Sequence, residues 1–165
     1  MLSGETANGA FPVEVVQMMA RIAAETERVR IAGQYQIKYP EPPVYTASGA
    51  ICHSSVQIAQ EANAKVILAP TVSGNTARLI ASFRPHVPIL ALTPDPVVQR
   101  RLCLVWGTTP MLTKRVNTTD DVVNDAVDMA IKQKLIVSGD RVVVTAGVVS
   151  GGRTSTNLVM MREID

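Results

Sequence analysis

Aromatic residues are scarce in this 165-residue sequence, at 4% of the chain with a single tryptophan. Sixteen basic residues stand against fourteen acidic ones, which leaves a net charge of +2, and the basic residues are scattered rather than clustered. A nucleic-acid surface needs aromatic platforms or a tract of positive charge along the backbone path. We therefore expect no nucleic-acid partner, and the calculated pI of 8.7 implies no other partner by itself.

Long apolar runs and a cysteine framework are also missing. No stretch reaches the ~18 apolar residues of a membrane span, and no signal-peptide pattern opens the chain. The two cysteines, Cys52 and Cys103, have no metal-ligand spacing, so no metal site is predicted. Both lie in apolar periodic segments and are predicted to be buried free thiols. We expect a cytoplasmic protein with no membrane contact.

The remaining pattern is that of an α/β domain, with 47% hydrophobic residues to supply its core. Apolar runs alternate with amphipathic stretches from residue 47 onward, which predicts parallel strands with helices on both faces. Strands are predicted at residues 66–70, 88–92, 108–113, 141–146 and 157–161. The last connection is too short for a helical crossover, so the last strand should run antiparallel. The predicted fold is three-layer αβα with a five-stranded, mostly parallel sheet.

The first part of the chain has a different character. Phe11, Val15, Met18, Ile22 and Val29 recur at mostly three- and four-residue steps, which predicts a helix with one apolar stripe. Residues 33–46 contain three prolines and little helical periodicity, which favours an extended linker. We therefore divide the chain into residues 1–32, a linker at 33–46 and a domain at 47–165.

The segment TVSGNT, which begins at Thr71, joins the strand at 66–70 to a helix predicted to start near Asn75. Its hydroxyls, a glycine that admits close approach and the unpaired first amides of the helix together suit a phosphate. The alternative is that Ser73 or Asn75 only caps the helix while the glycine turns the chain. The candidate phosphate-binding residues are Thr71, Ser73, Gly74, Asn75 and Thr76.

A second glycine-rich segment, GVVSGGRTST at residues 147–156, follows the strand at 141–146. Its hydroxyls, among them that of Thr156, are donors, and Arg153 could hold a phosphate through its planar fork. A solvated hairpin loop is the alternative. Both segments leave the carboxyl ends of strands, where doubly wound sheets place their ligands. The candidate residues of this second loop are Ser150, Gly151, Gly152, Arg153, Thr154 and Ser155.

Several motifs in order give the chain a resemblance to one enzyme family. They are MLSGET at the start, TVSGNT at Thr71, FRPHVPILALT at Phe83, RRLCLVWG at Arg100, VNTTDD at Val116, SGDRVVVTAG at Ser138 and STNL ending at Leu158. The chain resembles pyruvate kinase, and the resemblance covers only one end of that enzyme. Residues 1–27 resemble the last strand and last helix of its catalytic (β/α)8 barrel. Residues after 41 resemble its C-terminal domain, a five-stranded three-layer α/β unit.

This resemblance implies a glycolytic parent enzyme that transfers a phosphoryl group from phosphoenolpyruvate to ADP. It also implies Mg and K in the intact enzyme, a homo-oligomer that is a tetramer in the family, and the rest of the barrel as a partner. Residues 3–6 would lie near the catalytic mouth, yet the family's metal-binding carboxylates, phosphate-binding arginines and catalytic lysine have no counterparts here. No catalytic residue and no cofactor are therefore assigned to this chain, which we expect to be inactive alone.

For the C-terminal domain, the resemblance implies subunit assembly and binding of a phosphorylated effector between the two loops. Members that bind fructose 1,6-bisphosphate commonly have a basic residue on the helix matching residues 119–131, which here contains four aspartates and no lysine or arginine. Fructose 1,6-bisphosphate, ribose 5-phosphate and AMP all stay open as effectors. The alternatives of another class are a stand-alone sugar-phosphate-binding protein and an oligomerisation module with no ligand.

Overall fold

The structure, a computed structural model, describes residues 2–31, 46–114, 118–147, 149–150 and 153–165. The chain forms two compact units, Met1–Pro40 and Glu41–Asp165. The predicted linker at 33–46 lies outside the described residues except for Thr46. The division into 1–32, 33–46 and 47–165 therefore stays a prediction.

The first unit is helical where it is described, with α1 at Gly4–Ala7 and α2 at Pro12–Ile31. Much of the predicted apolar stripe is exposed, including Phe11, Met18 and Ile22. The strand expected at the opening is absent from residues 2–31. A lone strand has no neighbour for its backbone groups, whereas local turns satisfy them, as in the bond from the Asn8 amide to the Gly4 carbonyl at 3.0 Å.

The second unit confirms the predicted fold class. Its elements are α3 (Ala47–Glu61), β1 (Val66–Pro70), α4 (Asn75–Ser82), β2 (Ile89–Thr93), α5 (Pro96–Leu102), β3 (Thr108–Leu112), α6 (Thr119–Lys132), β4 (Arg141–Ala146), β5 (Val149–Ser150), β6 (Arg153–Thr154) and β7 (Leu158–Glu163). The main sheet has five strands in the order β3-β2-β1-β4-β7. Pairing is parallel except between β4 and β7.

The last connection differs in detail from the prediction. It contains a small antiparallel hairpin of β5 and β6, and the final strand is Leu158–Glu163 rather than 157–161. The antiparallel direction of β7 is as predicted, with Ala146 opposite Leu158 and Arg141 opposite Glu163. A short hairpin is enough to reverse the chain, so no helical crossover is needed.

Alternate residues of the strands supply two separate cores. Ile67, Ile89 and Val143 pack with residues of α3, α4 and α5 on one face of the sheet. Leu68, Leu90 and Val144 pack with residues of α6 on the other face. Because side chains alternate along a strand, an apolar run buries both faces and requires helices on each. The three-layer arrangement follows directly.

The order of the strands creates a reversal point in the sheet. From β1 the chain moves outward through β2 to β3, and α6 then returns it to β4 on the other side of β1. Helix α4, which follows β1, packs on one face of the sheet, and α6, which leads into β4, packs on the other. In doubly wound sheets the crevice at such a point, beyond the carboxyl ends of the strands, is the usual ligand site.

The two cysteines have different environments. Cys52 is completely buried on α3, as predicted, whereas Cys103 is exposed, contrary to the prediction. Helix α5 ends at Leu102, its last buried residue, so the helical period does not carry Cys103 inward. Within the described residues, no helix is both long and apolar enough to cross a membrane.

Candidate functional site

Both candidate loops leave the reversal point of the sheet. The loop at 71–74 follows β1 and the loop at 147–157 follows β4, and these two strands are neighbours, with Leu68 beside Val144. The sheet therefore brings together two segments that are more than 70 residues apart in sequence. The carboxyl-end rule predicted that both loops leave such strand ends, and the resemblance implied that they lie near each other.

The first loop is held by its own hydroxyls. The Thr71 amide donates to the Leu92 carbonyl at 2.8 Å, which extends the pairing of β1 with β2. The Thr71 hydroxyl accepts from the Gly74 amide at 3.0 Å, and the Ser73 hydroxyl accepts from the Asn75 amide at 3.4 Å. Because each hydroxyl is used as an acceptor, its own proton is free to be donated outward.

Gly74 is required by the geometry of this turn. It is the N-cap of α4 and has φ 82°, in the left-handed region that side chains disfavour. A Cβ at this position would lie 3.1 Å from Val98 Cγ1 and 3.3 Å from Leu102 Cδ2. The glycine therefore permits both the turn and the close packing of α5 behind the loop.

The amino end of α4 carries no side-chain cap. Asn75 is the first residue of the helix, so the alternative in which Asn75 caps it is wrong, and the 3.4 Å contact of Ser73 reaches only the Asn75 amide. The next two amides, those of Thr76 and Ala77, have no acceptor among the residues that the structure describes. Unpaired amides of this kind attract an anion, aided by the helix dipole.

Arg78 is a further candidate for the site that was not predicted from the sequence. Its Nη1 donates to the Ser73 carbonyl at 3.2 Å, which brings the guanidinium back over the loop. A cation near the amino end of a helix opposes the dipole, and the first turn of α4 contains no acidic residue. The available signal was an arginine two residues after TVSGNT, near the amino end of a helix where acidic residues are favoured.

Thr76 plays a part that differs from the predicted one. The residue is 5% exposed, and its hydroxyl lies 2.8 Å from that of Thr156 in the interior. Its side chain therefore belongs to a buried contact, and only its amide is left for a ligand. Thr156 was named as a loop donor, but its pairing with Thr76 was not predicted.

The thiol of Cys52 lies beside this threonine pair. Its Sγ is 4.0 Å from the Thr76 carbonyl, and burial raises the pKa of the thiol to about 11, although a hydrogen bond with Thr156 acts in the opposite direction. The thiol is therefore protonated at neutral pH, which makes it a packing group rather than a nucleophile.

The second loop is described in part. Backbone pairing in the hairpin sets Val149 opposite Thr154 and Ser150 opposite Arg153. Ser155 is exposed. Gly151 and Gly152 lie outside the described residues, as do the side chains of Ser150, Arg153 and Thr154. The proposed phosphate contacts of this loop stay predictions.

The base of the second loop is well defined. The Asn157 amide donates to the Ala146 carbonyl at 3.1 Å, which closes the loop where β4 ends and β7 begins. A Cβ on Gly147 would lie 2.8 Å from the Ser155 carbonyl oxygen. The two arms of the loop thus approach more closely than a side chain at residue 147 would allow.

Among the residues that the structure describes, no group of three His, Cys, Asp or Glu side chains could hold a metal ion. The aspartates of α6 are partly used in structure, since Asp125 accepts a hydrogen bond from the Thr113 hydroxyl.

The fold and the site together define a doubly wound α/β domain with a candidate anion site at its reversal point. A family profile described as "Pyruvate kinase, alpha/beta domain" matches residues 49–161. The pyruvate kinase of Geobacillus stearothermophilus is 42% identical over 164 residues, which are 99% of this chain and 28% of that protein. The pyruvate kinase of Lactobacillus delbrueckii subsp. bulgaricus is 40% identical over an alignment of 169 positions, which covers 99% of this chain and 28% of that protein.

A solved structure gives the same result. A crystal structure of a pyruvate kinase from Cryptosporidium parvum matches with a TM-score of 0.73 and 34% identity, covering 100% of this chain and 32% of that one. The chain belongs to the pyruvate kinase family, within which it corresponds to the C-terminal α/β domain. It spans about a third or less of the length of these relatives.

Proposed function

We propose that this chain serves as the C-terminal domain of a pyruvate kinase and binds a phosphorylated small molecule as an allosteric effector. The observation that carries the proposal is the uncapped amino end of α4 at the reversal point, where the amides of Thr76 and Ala77 have no acceptor among the described residues. The Arg78 guanidinium lies beside this end, since it donates to the Ser73 carbonyl. Such an end combines directed donors, a helix dipole and a cation.

The chemistry of recognition follows from the donors. A phosphate beside residues 71–76 would accept from the amides of Thr76 and Ala77 and from the hydroxyls of Thr71 and Ser73, which already accept from the loop itself. The Arg78 guanidinium would leave the Ser73 carbonyl, a neutral acceptor, for a charged one, since charge-assisted bonds are about twice as strong as neutral ones. Arg153 of the second loop would supply a further cation.

The effector itself stays open between a monophosphate and a bisphosphate. Helix α6 has Asp120 and Asp121 in its first turn and Lys132 only at its end. A second phosphate near its amino half would meet negative charge, so ribose 5-phosphate or AMP is as well matched as fructose 1,6-bisphosphate. Arg153 is the residue that could offset this for a bisphosphate.

The role of the whole enzyme is part of the same proposal. The relatives are named pyruvate kinases, so the parent would transfer the phosphoryl group of phosphoenolpyruvate to ADP in glycolysis, with Mg and K bound elsewhere in the enzyme. Subunit assembly, the barrel as a partner and a cytoplasmic location also belong to the proposal. Alone, the chain should form no pyruvate, because phosphoryl transfer needs positioned metal ions and cations.

Calorimetric titration of the chain with ribose 5-phosphate, fructose 1,6-bisphosphate and AMP tests the proposal. At least one should bind, and Arg78→Ala should weaken that binding by about 10- to 100-fold, as expected for a charge-assisted bond. Arg100→Ala is the matched control, since Arg100 is an exposed arginine in the last turn of α5. If none of the three ligands binds, the oligomerisation module without a ligand becomes the better explanation.

A further inference from the structure

Thr76 and Thr156 form a buried hydrogen bond between two segments that are 80 residues apart in sequence, with hydroxyl oxygens 2.8 Å apart. The residues are only 5% and 4% exposed. Water cannot replace either partner there without an opening of the structure, so a broken bond would leave a buried hydroxyl unpaired. The contact is therefore far more constraining than a surface pair.

Thr156 is fixed by the main chain as well. Its carbonyl accepts from the Ser48 hydroxyl of α3 at 3.2 Å, and the next residue, Asn157, pairs with Ala146 of β4. On the preceding side, the Ser155 carbonyl closely approaches Gly147. The base of the second loop is thus anchored to α3 and β4 by its backbone, and to α4 by the Thr156 hydroxyl.

Thr76 lies in the first turn of α4, directly after the first loop. Any shift of that turn therefore reaches Thr156 through a short, buried bond and not through solvent. We infer that the Thr76–Thr156 pair is a positioning contact that couples the two loops, so that a change at either loop alters the order of the other. The role in ligand binding rests on the proposed function, whereas the coupling itself does not.

The molecule contains a matched control. Thr145 lies on β4 and is fully buried, yet its hydroxyl has no hydrogen-bond partner among the described residues. Thr145→Val and Thr156→Val thus remove the same atom from buried positions, but only the second removes hydrogen bonds, those with Thr76 and with the Cys52 thiol. Thr76→Val removes the bond with Thr156 and leaves the one between Thr156 and Cys52. Thr156→Ser keeps the hydroxyl and loses a methyl group, which controls for packing.

Amide hydrogen exchange of the whole chain without ligand is the first measurement. Thr156→Val should speed exchange in residues 147–155 by about 5-fold or more and, reciprocally, in residues 74–78, because local opening becomes easier. Thr76→Val should do the same at both places, while Thr145→Val and Thr156→Ser should leave both rates near those of the unmodified chain. Equal rates in Thr156→Val and Thr145→Val would overturn the inference.

The double variant Thr76→Val/Thr156→Val covers the case in which a single variant does not fold. Replacing both partners with groups of the same shape leaves no unpaired hydroxyl, so this variant should fold and still show fast exchange in residues 147–155. Normal exchange there would contradict the inference.

Ribose 5-phosphate gives the second measurement. In the unmodified chain it should slow exchange at residues 71–78 and 147–155 together. In the double variant the protection of 147–155 should be smaller than in the unmodified chain, because only direct contact with the ligand remains. Equal protection of 147–155 in the two proteins would overturn the coupling. If the sugar phosphate does not bind the unmodified chain, the proposed function loses support, while the ligand-free exchange rates still decide the coupling.

Discussion

Helices α4 and α5 begin at the same edge of the sheet and pack on the same face, yet their amino ends are built differently. Helix α5 has a side-chain cap, since Asp95 accepts from the amides of Val97 at 2.7 Å and Val98 at 3.4 Å. Helix α4 begins at a glycine, has no side-chain cap and carries Arg78 beside its first turn. The fold therefore does not require an open helix end, and the difference at α4 is the basis of the proposed phosphate site.

Giving α4 a carboxylate that can accept from its first amides, as Asp95 does in α5, should have the largest effect on phosphate binding. Ser73→Asp puts a carboxylate beside the first amides, which caps the helix but repels an anion, and repulsion of this kind costs several kcal/mol. We expect phosphate binding to fall by more than about 100-fold while thermal stability stays equal or rises. Calorimetry with ribose 5-phosphate and thermal unfolding measure the two quantities.

Ser138→Asp adds the same charge at an exposed turn and is the control for Ser73→Asp. It should leave binding unchanged. Normal binding by Ser73→Asp would mean that the loop at 71–76 is only the start of a helix.

The next largest effect should come from the packing of Gly74 against α5 and should appear as a loss of stability. Gly74→Ala should lower the free energy of unfolding by about 2 to 3 kcal/mol, because it combines left-handed strain with crowding against Val98 and Leu102. Gly139→Ala is the matched control, since Gly139 has φ 85° but nothing within 4 Å of the added Cβ. It should cost only about 1 kcal/mol, for the strain alone. Urea unfolding that gives equal losses would disprove the crowding.

Replacing the polar residue before each helix, Asp95 or Ser73, should have the smallest effect on stability. The size of the loss should still differ between α5 and α4. Asp95→Ala removes the cap of α5 and should cost about 1 kcal/mol of unfolding free energy. Ser73→Ala should cost less than about 0.5 kcal/mol, since its 3.4 Å bond is weak and exposed. A loss as large for Ser73→Ala as for Asp95→Ala, again in urea, would show that Ser73 is a true cap.

The sequence predicted what local pattern determines. The apolar runs at 66–70 and 141–146 are the central strands, and the short glycine-rich connection reverses β7. Each of these depends on residues close in sequence, since a short apolar run is enough to predict a strand that is covered on both faces.

The features that were missed have different causes. Thr76 pairs with Thr156 across 80 residues, which no local pattern in TVSGNT could indicate. Cys103 was placed inside because the helical period was extended past Leu102, where the helix ends. The opening strand was expected from resemblance, but without a neighbouring strand its backbone has no ladder to join.

The position of β1 and β4 within the sheet has a consequence for inactivation by heat. Each of the two has a strand on both sides, β2 and β4 around β1, and β1 and β7 around β4. Neither can fray from an edge, so the points at which the two loops leave the sheet keep their spacing for as long as the sheet exists. Any loss of the proposed phosphate binding below the melting temperature should therefore come from local opening of the loops and not from separation of β1 and β4.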